Sequence, residues 1–202
     1  PVTDLISDAL SVEADCGVVV AYGQMIGVEF LMKLPMVNVH FSLLPRWRGA
    51  APVERAILAG DQSTGICIMG LEPELDAGPV YRKREIPIDE QITASELTEE
   101  LAALGAEELV AALQHGLSNA QPQEGKVTIA KKLFRSDLEL DWALSASELS
   151  RVIRVGGAWT TINSSSLKVH QANVIEGESE AGRLIKDVVG TGKKQVTFDY
   201  VP

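Results

Sequence analysis

Cysteine, histidine and aromatic residues are scarce: the 202 residues hold two Cys, three His and 5% Phe, Trp and Tyr. Cys16 and Cys67 lie far apart, with no second Cys and no His at ligand spacing. That argues against a disulfide framework and a metal centre and suits buried thiols in a reducing compartment. No apolar run approaches the roughly 18 to 20 residues of a membrane helix. The first ten residues lack the basic start and apolar centre of a signal peptide. A cytoplasmic protein without a membrane partner is expected. No Gly-x-Gly-x-x-Gly follows the strand-like run at Val18, so NAD has no support. Gly190, Gly192, Lys193 and Lys194 lack the spacing and hydroxyl of a phosphate loop and read as a hairpin turn. What is present, 46% hydrophobic residues, is enough for a packed core.

Net charge is −10, but its distribution says more than its sum. Eight acids fall between Glu85 and Glu108 with no Lys or Arg after Arg84, and the other residues balance to −2. Basic side chains then stand out at Arg46, Arg48 and Arg55, and at Lys126, Lys131, Lys132 and Arg135. Charge alone neither indicates nor excludes nucleic acid.

The chain begins with Pro, in what reads as the body of a helix (Leu5, Ile6, Ala9, Leu10), so a fragment is expected. Val18–Ala21 is a run of the fully buried, parallel-sheet type, and Tyr22 and Gly23 turn the chain. Ile26, Phe30, Leu31 and Leu34 recur at helical spacing, Pro35 ends that pattern, and Met36–His40 reads as the next strand. Strand, helix, strand predicts a right-handed crossover and a Rossmann-like, doubly wound α/β sheet, mainly parallel. Pro52 opens a short helix through Leu58, Gly65 to Leu71 is a strand, and Glu72 to Pro79 a loop. Thr93 with Glu96 is a capping box for a long helix with Leu97, Leu101, Leu104, Leu109, Leu113 and Leu117 on its apolar stripe and the acidic block on its wet face. His115 at its end suits the helix dipole. Residues 121–139 read as a linker between a first domain, 1–120, and a second, 140–202. The second opens with a helix capped by Ser145 and Glu148, carrying Leu149, Val152 and Ile153 inward. Strands follow near Trp159 to Ile162 and Leu167 to Val174, the latter holding a solvated His170.

Asn38 and His40 are two apart on a strand, so both side chains leave one face near its carboxyl end, where open α/β sheets bind ligands. Buried polar groups there need partners, each costing on the order of 1 to 3 kcal/mol unpaired. Asp76, in the loop after the next strand, is the natural one if that strand is parallel. A His oriented by a carboxylate, with an amide beside it, suits acyl transfer: the His moves a proton and Asn38 steadies an oxyanion. A hydrogen-bonded core triad uses the same residue types, so spacing alone leaves both open.

The stretch after His40 adds motifs. Asn38-x-His40-x-Ser42-Leu43-Leu44-Pro45, then Arg48-Gly49-Ala50-Ala51-Pro52, Thr64-Gly65 and Leu75-Asp76-Ala77-Gly78 resemble the folate-dependent formyltransferases. The resemblance implies a catalytic triad of Asn38, His40 and Asp76. It implies contacts to 10-formyltetrahydrofolate, the co-substrate, from Ser42, Leu43, Leu44 and Pro45, and a second folate wall at Tyr22, Gly23, Gln24, Met25 and Ile26. Ala77 departs from the family, which usually has Thr there. Family members differ in acceptor. Lys131-Lys132-Leu133, Leu140-Asp141-Trp142, Arg151-Val152-Ile153-Arg154 and Gly157-Ala158-Trp159-Thr160 are similar to the linker and C-terminal entry of the branch that formylates methionine on initiator tRNA. That implies an OB-like β-barrel domain after residue 140, a monomer, no metal, and tRNA contacts at Arg46, Arg48, Lys131, Lys132 and Arg135. An amino sugar nucleotide is the alternative acceptor, and a non-catalytic folate-binding relic the alternative outside enzymes.

Overall fold

A computed structural model describes residues 13–175 and the strand backbones at 184–185, 188–190 and 195–198. The helix expected at Leu5 to Leu10 lies outside the described residues. These fall into two compact units: residues 13–52, 63–87 and 98–131 form the first, and 53–62, 88–97 and those from 132 onward the second.

In the first unit, β1 (Gly17–Val19) runs parallel to β2 (Met36–His40), with Val19 opposite Asn38. The helix between them is one turn, α1 (Val28–Leu31), because Gly27 and Pro35 bracket it closely. β1 is not the fully buried strand its composition predicts. Among the described strands it lies at the sheet edge, with Val18 45% exposed.

The sheet is mixed, in the order β1-β2-β4-β5, rather than mainly parallel. β4 (Ser63–Gly70) runs antiparallel to β2, pairing His40 with Cys67 and Val37 with Gly70. After β2 the chain passes through β3 (Arg48–Gly49) and α2 (Pro52–Ala59) and re-enters the sheet at the end it left. The crossover rule, which governs parallel neighbours, therefore does not apply to this connection. β5 (Val80–Pro87), a strand the composition of this segment does not suggest, pairs antiparallel with β4 at the other edge among the described strands. Its run Arg82-Lys83-Arg84-Glu85 obscures any apolar alternation but suits an edge strand, where charge discourages further pairing.

α3 (Ala94–Gln114) starts as its capping box predicts. The Thr93 N–H donates to Glu96 Oε2 at 2.9 Å and the Glu96 N–H returns to Thr93 Oγ at 3.3 Å. Leu97, Leu101 and Leu104 are buried, but the stripe then drifts, burying Ala112 and leaving Leu113 exposed. Gly105 has a packing reason: a Cβ there would lie 2.7 Å from Val39 Cγ1, so the missing side chain lets α3 close onto β2 between the two candidate site residues. Glu108 departs from the predicted wet face. It is 8% exposed and paired with Arg82 and Arg84 of β5.

Residues 121–131, read as linker, are built into the first unit. Gln121 exchanges both backbone hydrogen bonds with Val80 at 2.8 Å, and β6 (Ile129–Ala130) pairs in parallel with β3.

The second unit packs α4 (Ala146–Val155) through Leu149, Val152 and Ile153 onto Leu140, Ala158 and Val169. The Ser145–Glu148 capping box forms as expected. β7 (Trp159–Ile162) and β8 (Ser165–Lys168) make a hairpin whose turn residues, Asn163 and Ser164, both have positive φ, as a tight primed turn requires. The strand expected over Leu167 to Val174 is thus two, β8 and β9 (Ala172–Ile175), with exposed His170 between them. β9 joins β12 (Gln195–Phe198), β11 (Val188–Gly190) and β10 (Leu184–Ile185) in an antiparallel sheet. Of the predicted hairpin turn, Gly190 ends β11, and Gly192, Lys193 and Lys194 lie outside the described residues. Among the described residues no helix is long and apolar enough to cross a membrane.

Candidate active site

Asn38 and His40 occupy alternate positions of β2, so strand geometry turns both to one face. His40 is 5% exposed. Its Nε2 lies 2.8 Å from the Trp47 carbonyl, which can only accept, so Nε2 carries a proton. Nδ1 faces Asp76 Oδ2 at 3.6 Å, close enough for charge attraction and too long for a direct hydrogen bond. Burial pushes His40 below the ordinary histidine pKa, offset in part by the Asp76 carboxylate and the Trp47 carbonyl. In its neutral form the ring therefore turns the Nδ1 lone pair toward Asp76. Asn38 is half-buried, and its carboxamide makes no hydrogen bond to another described residue.

Asp76 reaches His40 by a different route from the parallel neighbour expected. β4 is antiparallel, so its carboxyl end lies beside the start of β2, and the loop of residues 71–79 must fold back along the strand. Asp76 bends there with φ +45°, an uncommon conformation for a non-glycine residue. Its Oδ2 accepts the Gly49 N–H at 2.8 Å, and Gly49 has φ +117° with no room for a side chain: a Cβ would stand 2.8 Å from the Ala130 carbonyl oxygen.

The loop after β2 is stapled in place. Buried Ser42 donates to the Arg46 carbonyl. Thr128 holds the loop three ways: its Oγ accepts the Trp47 N–H at 2.8 Å, its carbonyl accepts the Arg48 N–H at 2.9 Å, and its own N–H donates to Pro45 at 3.3 Å. Leu44 and Pro45 are buried, joined by a cis peptide bond, and Leu43 is half-buried. Tyr22 to Met25 are exposed and Ile26 half-buried. Since β1 and β2 are parallel, the segments Tyr22–Ile26 and Ser42–Pro45 leave the sheet from neighbouring carboxyl ends.

The basic residues separate. Arg46 lies over the Trp47 ring, 4.5 Å from its centroid. Arg48 is 9% exposed: its Nε and Nη2 donate to Gln123 Oε1 at 3.0 and 2.8 Å, and its Nη1 to Glu74 at 3.2 Å. So buried and so engaged, it is a brace rather than a surface cation. Lys131 and Lys132 are exposed. Arg135 lies over the Trp159 ring at 4.6 Å and donates to Ser166. Burial pushes the Cys67 thiol up to about 11, so it stays protonated and inert at neutral pH. His115 turns Nδ1 to the Ala111 carbonyl at 2.6 Å, a helix-end contact. The Trp47 carbonyl, the Gly49 N–H, Thr128 and Gln123 went unnoticed in the sequence, since backbone groups and lone polar residues in a Pro- and Gln-rich segment carry no spacing signal.

A family model described as formyl transferase matches residues 3–113. The chain belongs to the formyl transferase family. It is 41% identical to the methionyl-tRNA formyltransferase of Methylococcus capsulatus over 182 residues, covering 85% of this chain and 59% of the relative. It is 38% identical to that of Cereibacter sphaeroides over 205 residues, covering 95% of this chain and 67% of the relative. It therefore spans about two thirds or less of the length of these curated relatives. Solved structures share the fold at low identity. HypX from Aquifex aeolicus, in complex with tetrahydrofolic acid, superposes with a TM-score of 0.72 at 18% identity, covering 91% of this chain and 35% of that one. An N-formyltransferase from Helicobacter canadensis, in complex with folinic acid and dTDP-3-aminofucose, gives 0.69 at 15% identity, covering 88% and 71%.

Proposed function

We propose that this chain carries the catalytic site of a cytoplasmic, monomeric methionyl-tRNA formyltransferase, which moves a formyl group from 10-formyltetrahydrofolate to the methionine amine of initiator tRNA for translation initiation. The observation that carries the reading is the convergence of half-buried Asn38, buried His40 and Asp76 in a member of the formyl transferase family. Relatives at about 40% identity that bear this name support tRNA over an amino sugar nucleotide as acceptor. In this reading the catalytic domain, expected over residues 1–120, also takes in 121–131, which pair within the same unit; the connection shortens to the residues before 140, and 140–202 are the start of an OB-like domain.

The residues fit a folate donor, since the Asn38 carboxamide is available at the carboxyl end of the strand, between the segments Tyr22–Ile26 and Ser42–Pro45 proposed as folate walls. Bound 10-formyltetrahydrofolate supplies the activated one-carbon unit. Asn38 Nδ2 donates to the formyl oxygen as negative charge grows on it. Neutral His40, fixed through Nε2 on the Trp47 carbonyl, accepts the attacking amine's proton at Nδ1 and delivers it to the departing nitrogen. Asp76, 3.6 Å away, stabilises the imidazolium in between. His40 thus works as base and then acid, and Asn38 is the oxyanion donor, because Nε2 is committed to Trp47. Arg46, Lys131, Lys132 and Arg135 are the proposed contacts to the tRNA backbone, which would make binding salt-dependent.

The test supplies the protein at its natural length with 10-formyltetrahydrofolate and one acceptor at a time, following products by mass. Formyl-methionyl-tRNA is expected. Product only on an amino sugar nucleotide, or only free formate, would overturn the acceptor, and no formyl transfer at all the reading as a whole.

A further inference from the structure

We propose that Gln123 is a positioning residue that, through two carbonyl contacts and Arg48, holds the Asp76 loop against His40; the proposal rests on the reading of Asp76 and His40 as the working pair. The Gln123 Nε2 group donates to the carbonyls of Asp76 and Gly78, both at 2.8 Å. Its Oε1 accepts two N–H groups of the buried Arg48 guanidinium, whose remaining edge reaches Glu74 at 3.2 Å. The loop is thus gripped at 74, 76 and 78, on both sides of the residue that bends into positive φ. Such a conformation in a non-glycine residue persists where its surroundings over-determine it.

The chemistry of the contacts selects the side chain. Two carbonyl oxygens need two N–H donors, and the guanidinium on the other side needs an acceptor. A carboxamide offers both: Glu lacks the donors, and Lys and Arg lack the acceptor. Gln123 is itself held, because Gln121 pairs with Val80 and β6 pairs with β3, the strand that contains Arg48. Arg48 and Gly49 then touch the same loop from two sides, one through Gln123 and one through the Asp76 carboxylate. The groups set around the His40 ring are Asp76, the Trp47 carbonyl and, across the sheet on β4, the protonated Cys67.

The experiment uses the natural-length protein with Gln123→Met, which keeps length and neutrality but makes no such hydrogen bonds, and Gln123→Asn, which keeps the chemistry and shortens the reach. Three quantities are read: kcat and KM for formyl transfer, the titration of the His40 ring by NMR, and the thermal unfolding midpoint. In Gln123→Met, kcat is expected to fall about 10- to 100-fold with KM for the folate within about threefold, as for a sub-ångström misplacement of a reacting group. The His40 titration should move to lower pH as the Asp76 charge recedes. Gln123→Asn should move both in the same direction by less, and it carries the test if the Met variant does not fold. Combined with Asp76→Asn, Gln123→Met should add little further loss, since it acts through that carboxylate. An unchanged His40 titration, or full additivity with Asp76→Asn, would overturn the proposal. If the parent protein transfers no formyl group, the proposed function fails, while the His40 titration still decides whether Gln123 sets Asp76 in place.

Discussion

The two units bury different things. The first encloses polar groups, His40, Ser42, Arg48, Thr64 and Glu108 among them, and bends Trp47 and Asp76, as well as Ala21, Leu117 and Asn119, into positive φ. The second encloses mainly aliphatic side chains, with Leu149 at its centre. Its buried Thr160 is satisfied by the Trp142 indole N–H, and its positive-φ pair, Asn163 and Ser164, sits in a hairpin turn that demands it. In the first unit His40, Ser42 and Arg48 lie buried at and just beyond one strand end, beside the bends at Trp47 and Asp76, whereas the buried polar atoms of the second unit include the Nε groups of Arg151 and Arg154 along α4 and its positive-φ pair closes a turn. Burying polar groups and holding residues off their preferred backbone cost stability, and such costs cluster where chemistry is done. The gathering of such groups just beyond the end of β2 agrees with the first unit as the proposed reacting one.

The sharpest way to break the contrast is His40→Ala. Turnover should fall by on the order of 10² to 10⁴ while the unfolding midpoint moves little; steady-state kinetics beside a thermal melt would show it, and near-normal turnover would remove His40 from the mechanism. Leu149→Ala should do the opposite, costing about 2 to 5 kcal/mol of unfolding free energy in urea through loss of packing and the cavity left. A direct loss of chemistry in the remaining folded fraction would blur the division.

A smaller effect comes from pH. Because burial holds His40 below its ordinary value of about 6.5, the unfolded chain binds the extra proton more readily. The stability this group contributes is fully present above that value and is lost as pH falls through the depressed folded value. Unfolding free energy measured across this window should decline on acidification and decline less in His40→Asn; parallel slopes would mean His40 is not held neutral. The smallest change is Ser145→Ala, expected to cost about 1 kcal/mol by removing the cap of α4, with no effect on turnover.

Much of the local structure was legible. Met36–His40, the helix from Pro52, both capping boxes and the inward face of α4 follow from short-range rules, because caps and periodicity act within one or two turns. Strand direction was not legible. A run such as Gly65 to Leu71 has the same alternation whichever way it enters the sheet, and β4 enters antiparallel. β5 was hidden because four charged residues in a row mask period-two patterning, and Glu108 because its partners lie on that unseen strand. Arg48 looked like a surface cation, since sequence cannot show that Gln123 and Glu74 enclose it.

Spacing put Asn38 and His40 on one face, since residues two apart on a strand share a side, while Asp76 followed from the family motif and from a parallel strand that the fold replaces with an antiparallel one. The sequence by itself could not say how Asp76 arrives. That was decided by tertiary structure: an antiparallel strand sends the loop away from His40, and the fold returns it through a left-handed bend at Asp76, a glycine at 49 with no space for a side chain, and a carboxamide 47 residues further along the chain than Asp76. Tertiary structure likewise decided which His40 nitrogen is available, because only the folded loop brings the Trp47 carbonyl to Nε2 and leaves Nδ1 facing the carboxylate. Local rules act over a few residues, whereas the protonation and aim of a buried ring depend on groups that the chain brings together across its whole length.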